Sequence, residues 1–180
     1  MASDSYEIFR EVPGLYRVIP LTPFRRTAGV SFDFVPMAAI PGISAIDRVV
    51  HQGGAVSPGP VGGVAQPWYM HPCQDDNLLV LHGVRHVDLY SEKHGRMESF
   101  RVYPDRLEDG DGKMICATPC MLVWPTRVFH RIVSGENGSA SLNFAVHHEG
   151  FDIRTNFNIY DLDQEACRYE LLREGYRDQK

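Results

Sequence analysis

No uninterrupted apolar run in the 180 residues approaches the ~20 that a helix needs to cross a bilayer. No block of lysine or arginine stands out, and the formal net charge is −5. Nucleic acid and anionic membranes are therefore not expected partners. The opening residues, Met1-Ala2-Ser3-Asp4-Ser5-Tyr6-Glu7, lack the basic start and apolar core of a secretory signal, and a cytoplasmic location is expected. Cysteine is sparse: Cys73, Cys116, Cys120 and Cys167. In a reducing compartment these are free thiols. Cys116 and Cys120 are too widely spaced for a CxxC pair and enclose Pro119, which disfavours a zinc ribbon. Cys73 reads as a small buried residue. Internal repeats are lacking, and so is a helix-turn-helix segment, which excludes a self-contained transcription factor.

What is present is an ordinary globular composition, 43% hydrophobic and 23% charged, in a length that fits one domain over 1–180. A chain of this size buries about 70% of its unfolded surface. Most of it reads as short strands. Gly14 to Ile19 is stopped by Pro20, and Gly29 to Val35 by Pro36. Ile43 to His51 is rich in β-branched residues. The Gly- and Pro-dense stretch 52–67 supports no regular element and is expected to be a loop over the mouth of a barrel. Val84 to Tyr90 and Glu98 to Tyr103 pair across a turn. The acidic stretch 104–113 lacks EF-hand spacing and reads as a solvated Asp-Gly-Asp-Gly turn. Met114 to Ala117 and Cys120 to Trp124 are further short strands. Asn137-Gly138 predicts a hairpin between Val128–Val133 and Ala140–His147. In the tail, Leu162, Ala166, Tyr169 and Leu172 recur at helical spacing, with Asp161 as cap and Gly175 as stop. A short C-terminal α-helix is therefore expected at about 162–174.

Two segments carry chemistry. In Trp68-Tyr69-Met70-His71-Pro72-Cys73-Gln74-Asp75-Asp76, a strand delivers Tyr69 and His71 to one face. A second strand starts at Asp76 and is expected to end in a tight turn at Gly83. Much later comes Trp124-Pro125-Thr126-Arg127-Val128-Phe129-His130. Asp76, Leu78 and Val80 share a face, as do Val128, His130 and Ile132. If those faces point inward, they enclose an apolar cavity with a few polar groups at one level.

These segments resemble the paired motifs of the cupin family, the RmlC-like jelly rolls, across core motifs 69–134. The resemblance implies an all-β, antiparallel double-stranded β-helix. The family's first motif has two histidines one residue apart, a glutamate and a glycine. Here Tyr69 replaces the first histidine, His71 is the second, Asp76 stands for the glutamate, and Gly83 follows at the right distance. Pro125 and His130 match the second motif. Arg127 and Pro119 stand where glycines are usual, and Ser134 where asparagine is usual.

By this resemblance His71, Asp76 and His130 are expected to hold one divalent transition metal, Fe, Mn, Ni or Zn, as a 2-His-1-carboxylate set with open positions. Asp75 and Gln74 are alternative acidic-side ligands. Tyr69 is a phenolate ligand, a hydrogen-bond donor or a space filler. The leading expectation is a metal-dependent oxygenase acting on a small molecule, with Tyr69, His71 and His130 catalytic. The alternatives are a non-catalytic small-molecule-binding cupin (a sensor or assembly subunit) and a metal-free sugar isomerase or epimerase working through His and Tyr. Candidate pocket residues are Trp68, Gln74, Arg127 (for a substrate carboxylate), Phe144 and His148. Trp124 reads as packing beside the second motif. The remaining histidines, His51 among them, read as satisfied core or surface groups. Edge strands and the terminal helix suggest a homodimer.

Overall fold

In the computed structural model of the chain, residues 6–180 are described. In chain order, β1 (Arg10–Val12) and β2 (Tyr16–Pro20) are followed by β3 (Thr22–Thr27) and β4 (Val30–Phe34). Next come β5 (Ala45–His51), β6 (Val56–Ser57), β7 (Trp68–Met70) and the long β8 (Gln74–Tyr90). Then follow β9 (Met97–Val102), β10 (Leu107–Asp109), β11 (Met114–Cys116), β12 (Cys120–Trp124) and the equally long β13 (Phe129–His147). A one-turn helix, α1 (Ile153–Asn156), precedes β14 (Ile159–Asp163) and β15 (Arg168–Arg173). All pairings are antiparallel. The main sheet runs β1-β2-β12-β8-β13-β7-β14-β15, with β5 and β6 also on β13, and β9 on β8; β3 and β4 form a separate hairpin. Among the described residues no helix is long and apolar enough to cross a membrane.

The architecture is a jelly roll because β8 and β13 each serve two layers. The first half of β8 pairs with β12 and with the second half of β13. Its second half pairs with β9 and with the first half of β13. The expected turn at Gly83 and the expected Asn137-Gly138 hairpin are therefore both corrected. Each is a bend inside a continuous strand, marked by register shifts between Ser134 and Ser139 and between Ala140 and Ser141. The two halves of β13 never pair with each other. Bulged strands bend and twist where an extra residue enters. Gly83, at φ +71°, makes the bend possible, since a Cβ there would overlap the Gly138 carbonyl oxygen.

The register shifts also change which side chains face inward. Asp76, Leu78 and Arg85 line the same cavity, as do His130, Ile132, Ser141 and Asn143. The interior is packed with Leu78, Val80, Val87, Leu89, Leu122 and Val128, all buried. A second apolar cluster joins Leu79, Met121, Val123 and Phe144 to Ile19, Ala39 and Ile40. The expected common faces of Asp76, Leu78 and Val80, and of Val128, His130 and Ile132, do point inward.

The tail differs from expectation. Residues 162–174 form the β14–β15 hairpin, and the one α-helix among the described residues is α1. Asp163, not Asp161, organises this stretch: its Oδ1 accepts from the backbone N–H of Glu165 and Ala166. Such an Asx turn offers the chain a reversal in place of a helix. Ile159, Tyr160 and Leu162 are then buried, Tyr160 and Leu162 packing with Trp68 and Phe129. Elsewhere the Asp-Gly-Asp-Gly turn is as expected, with Asp109 Oδ1 accepting from Asp111 and Lys113.

Gly83→Ala is expected to lower unfolding stability by about 3 kcal/mol or more, because a strained φ and a backbone overlap act together. Gly54→Ala has a similar φ of +70° but no atom within 4 Å of the new Cβ, so it should cost only about 1 kcal/mol. Urea denaturation of the two variants checks the difference, and equal losses would contradict the strand crossing.

Candidate active site

β7 and the loop after it bring His71 to the barrel interior, β8 brings Asp76, and β13 brings His130. All three are buried. Their ligand-type atoms lie within 4.8 Å of one another. Asp76 Oδ2 is 3.3 Å from His71 Nε2 and 4.0 Å from His130 Nε2.

The surrounding hydrogen bonds fix what each atom presents. Asp76 Oδ1 accepts from Gln74 Nε2 at 2.8 Å and from Asn143 Nδ2 at 2.6 Å. Gln74 in turn accepts from Asn156 Nδ2 at 2.9 Å. His71 Nδ1 donates to the Asn156 carbonyl, and His130 Nδ1 to the Val128 carbonyl at 3.2 Å. A carbonyl only accepts, so in each neutral imidazole the proton sits on Nδ1 and Nε2 carries a lone pair. Both Nε2 atoms and Asp76 Oδ2 thus converge, and Oδ2 has no partner apart from the 3.3 Å approach of His71 Nε2. Three acceptors facing each other in a desolvated space call for a positive group between them, either a proton or a cation.

His130 is the group held neutral. Burial, reinforced by the neighbouring His71, pulls its pKa down to about 4, against the weaker opposing effects of Asp76 and the Val128 carbonyl. Tyr69 stands 5.9 Å from His130 and 6.4 Å from His71, ring centre to ring centre. Burial raises its pKa, partly offset by a hydrogen bond with Ser57, so the phenol keeps its proton. Phe157 closes on His71 at 5.2 Å and on Tyr69 at 6.1 Å, both edge to face. Trp124 lies 5.2 Å from His130. The cavity they border measures about 150 Å³.

The structure therefore brings together Tyr69, His71, Asp76 and His130. Gln74 is also there, but as a buried support for Asp76 and not a wall of the cavity. Asp75 is not an alternative ligand: its carboxylate accepts from Thr126 N–H and pairs with His148 at 3.1 Å. His148 is half-exposed in that pair and does not reach the cavity. Trp68 faces away, buried under Arg131 at 4.2 Å. Phe144 belongs to the second apolar cluster, because the β13 bulges put Ser141 and Asn143 inward in its place. Arg127 is exposed, with its backbone N–H on the His71 carbonyl at 2.8 Å. Its φ of +63° explains why the cupin pattern has glycine at that position.

Sequence reasoning missed seven cavity residues: Asp47, Val49, His51, Arg85, Ser141, Asn143 and Phe157. It also missed Asn156, which supports His71 and Gln74. A signal existed for Arg85, a charged residue inside the apolar alternation of β8. Asn156 ends a turn of helix capped by Asp152 and Phe157 follows it, and neither carried such a signal. Ser57 places the Gly- and Pro-rich segment on the cavity wall, but the expectation that 52–67 holds no regular element is corrected: Val56–Ser57 is β6, paired with Ile132 and Val133.

No family model matches the chain, and no curated protein matches it. Solved structures do. One is a dTDP sugar isomerase from Desulfovibrio desulfuricans G20, 15% identical, covering 81% of this chain and 85% of that one, with a TM-score of 0.55. Another is QdtA, a sugar 3,4-ketoisomerase from Thermoanaerobacterium thermosaccharolyticum solved with TDP: 10% identity, 76% and 82% coverage, TM-score 0.53. A third is dTDP-4-dehydrorhamnose 3,5-epimerase from Sulfolobus tokodaii: 16% identity, 81% and 77% coverage, TM-score 0.54. The architecture is thus an antiparallel cupin jelly roll. More particularly, it is the RmlC-like form of that fold. The expectation of a metal-dependent oxygenase is overturned by the same finding, since the proteins sharing the fold are sugar isomerases and an epimerase.

Two outcomes follow from the site. Arg127→Gly should raise stability by about 1 kcal/mol in urea titrations, because glycine accepts the left-handed φ without strain. The second concerns pH. An imidazole at about 4 in the fold and 6.5 unfolded binds its proton first in the unfolded chain. Stability from His130 is full above about 6.5 and declines as pH falls toward about 4. At pH 5 the loss is about 2 kcal/mol. His130→Gln should flatten the decline between pH 7 and 5, leaving the smaller same-direction effects of His51 and His147.

Proposed function

We propose that the chain is an acid–base isomerase or epimerase acting on a small carbonyl compound of the sugar type. The observation that carries this is the convergence of His130 Nε2, His71 Nε2 and Asp76 Oδ2, with His130, Asp76 and the protonated Tyr69 on the wall of one cavity. In this reading the neutral His130 takes a proton from the carbon next to the substrate carbonyl. The electron pair moves into an enediolate, and the Tyr69 hydroxyl donates a hydrogen bond to its oxygen. For isomerisation the proton returns from His130 to the former carbonyl carbon, while the Tyr69 hydroxyl protonates the old carbonyl oxygen and takes up the proton of the adjacent hydroxyl, which becomes the new carbonyl; for epimerisation Tyr69 protonates the same carbon from the opposite face and His130 keeps the proton it removed. Asp76 stabilises a protonated imidazole and is itself held by Gln74 and Asn143. The isomerase and epimerase names of the structural neighbours support the reaction class. A cavity of about 150 Å³ suits one six-membered ring, the size that takes up benzene in an engineered protein cavity. A larger carrier attached to the ring would lie outside the barrel.

A second question concerns the ion. The same His71, Asp76 and His130 atoms are the donors that one divalent transition ion would use, and the orphaned Oδ2 favours that fit. Such an ion, when bound, supplies Lewis-acid polarisation of a substrate oxygen. A cytoplasmic setting suits the four free thiols. A homodimer belongs to the same proposal, since β5 is bonded on one edge only.

The test is proton exchange followed by NMR in D2O with nucleotide-linked 4-keto hexoses, free ketoses and uronates, alongside metal analysis of protein prepared without a metal column. Loss of the signal of the hydrogen beside the carbonyl is expected for at least one compound, reduced 10²- to 10⁴-fold in His130→Gln. Exchange that survives chelation supports acid–base chemistry by the side chains alone. One ion per chain, lost in His71→Ala, establishes the ion. No exchange with any compound, or undiminished exchange in His130→Gln, overturns the proposal.

A further inference from the structure

The far side of the same cavity carries a charge that the proposed chemistry does not use. Arg85 is among the largest fully buried side chains, at 1% exposure. Its Nε donates to Ser139 Oγ at 3.2 Å and its Nη2 to the Val49 carbonyl at 3.1 Å. Both acceptors are neutral. Among the described residues no carboxylate stands within ion-pair reach of this guanidinium, and burial alone lowers its pKa, to about 10. A guanidinium has five N–H donors, so these two bonds leave three N–H groups to be satisfied, and Arg85 lines the cavity. Buried arginines are ordinarily paired with an anion, and leaving such a charge unpaired is costly.

Other unpartnered groups line the same space. Five buried side-chain polar atoms lack a hydrogen-bond partner among the described residues: His51 Nδ1, Asp76 Oδ2, Trp124 Nε1, Ser141 Oγ and Asn156 Oδ1. The first four belong to residues that line the cavity. Orphaned polar atoms in native proteins are few and call for an explanation. Here four of the five belong to residues of one cavity wall, which points to a polar occupant.

The groups are ordered along β13. Asn143 binds the Asp76 carboxylate, Ser139 binds Arg85, and Ser141 lies between them with a free hydroxyl. Four strand residues span roughly 13 Å, and the long Arg85 side chain shortens the gap between the functional groups. The wall between is apolar, with Leu78, Ile132 and Val49. An occupant of one ring's volume thus meets a cation at one end and His130 with Asp76 at the other.

We propose that Arg85 binds an oxyanion, a carboxylate or phosphate monoester, carried by the small molecule that occupies the barrel. The natural ligand is then an acid and not a neutral sugar. This deepens the preceding reading of the cavity as a substrate site, but it does not depend on the reaction. The guanidinium fork matches two oxygens at once, and the Ser141 hydroxyl adds a third donor. Arg85 thereby sets substrate class while His130 does the proton work.

The test uses ligands that cannot isomerise, so that a failed reaction and a failed anion site give different results. Benzoate and benzyl alcohol have the same ring size and differ in charge. Calorimetric titration of the full chain should show benzoate binding at least 10-fold more tightly than benzyl alcohol. His130→Gln should keep that preference, and Arg85→Met should abolish it. Arg85→Met is expected to fold with an unchanged or higher Tm, since it removes an unpaired buried charge. Glucuronate, glucose 6-phosphate and glucose form the second set, in which tighter binding of either acid supports the site and identifies the oxyanion. If Arg85→Met does not fold, Ser141→Ala decides, with an expected 3-fold or greater loss for benzoate and none for benzyl alcohol. Equal binding of charged and neutral probes to the unmodified chain, or full preference in Arg85→Met or Ser141→Ala, overturns the assignment.

Discussion

The Gly138 carbonyl occupies the place where any side chain at position 83 would begin. This close passage lets β8 and β13 bend together and remain paired from one end of the barrel to the other. It also decides what the cavity is made of. In an unbroken strand, residues separated by an odd number of positions point to opposite faces. Asp76 and Arg85 are separated by an odd number, as are His130 and Asn143, yet all four line one space. The register shift at the bend reconciles them. Without it, the carboxylate and its asparagine support would lie on different faces from the guanidinium and the histidine.

The same backbone fixes the protonation pattern. His71 and His130 each spend the Nδ1 proton on a main-chain carbonyl, from Asn156 and Val128. Side-chain partners would leave the tautomer free to change, whereas a carbonyl does not. Both imidazoles therefore present Nε2 inward, beside the Asp76 carboxylate. In water such an arrangement is unremarkable because solvent supplies the donors. Inside the barrel the demand for a proton or cation persists, and it makes His130 a base that stays unprotonated at neutral pH.

The outline of this site was legible from the chain, and its far wall was not. Tyr69, His71, Asp76 and His130 are found from spacing, because a two-residue strand interval and a glycine at fixed distance constrain where side chains go. Arg127 was misassigned for a related reason. Its identity suggested an anion contact, while its position in a left-handed turn makes it a backbone feature. Phe144 and the C-terminal helix failed on periodicity. A bulge inverts the alternation on β13, and the Asx turn at Asp163 converts a helical spacing into a hairpin. Neither device announces itself in a hydrophobic pattern. Arg85 was overlooked because a charged residue in an alternating strand is ordinarily assigned to solvent.

The two poles of the cavity constrain one another. Asp76 and Arg85 are opposite charges in the same low-dielectric space, and a direct pair would satisfy both. The fold keeps them apart. Gln74 and Asn143 hold the Asp76 carboxylate at one end, and Ser139 with the Val49 carbonyl holds the guanidinium at the other. Separation costs stability, because each charge retains unsatisfied capacity. It also keeps the apolar middle open for a ring and leaves both ends able to act on what enters. A collapsed ion pair would give a tighter core and no site, which is why the neutral supports matter as much as the charges they position.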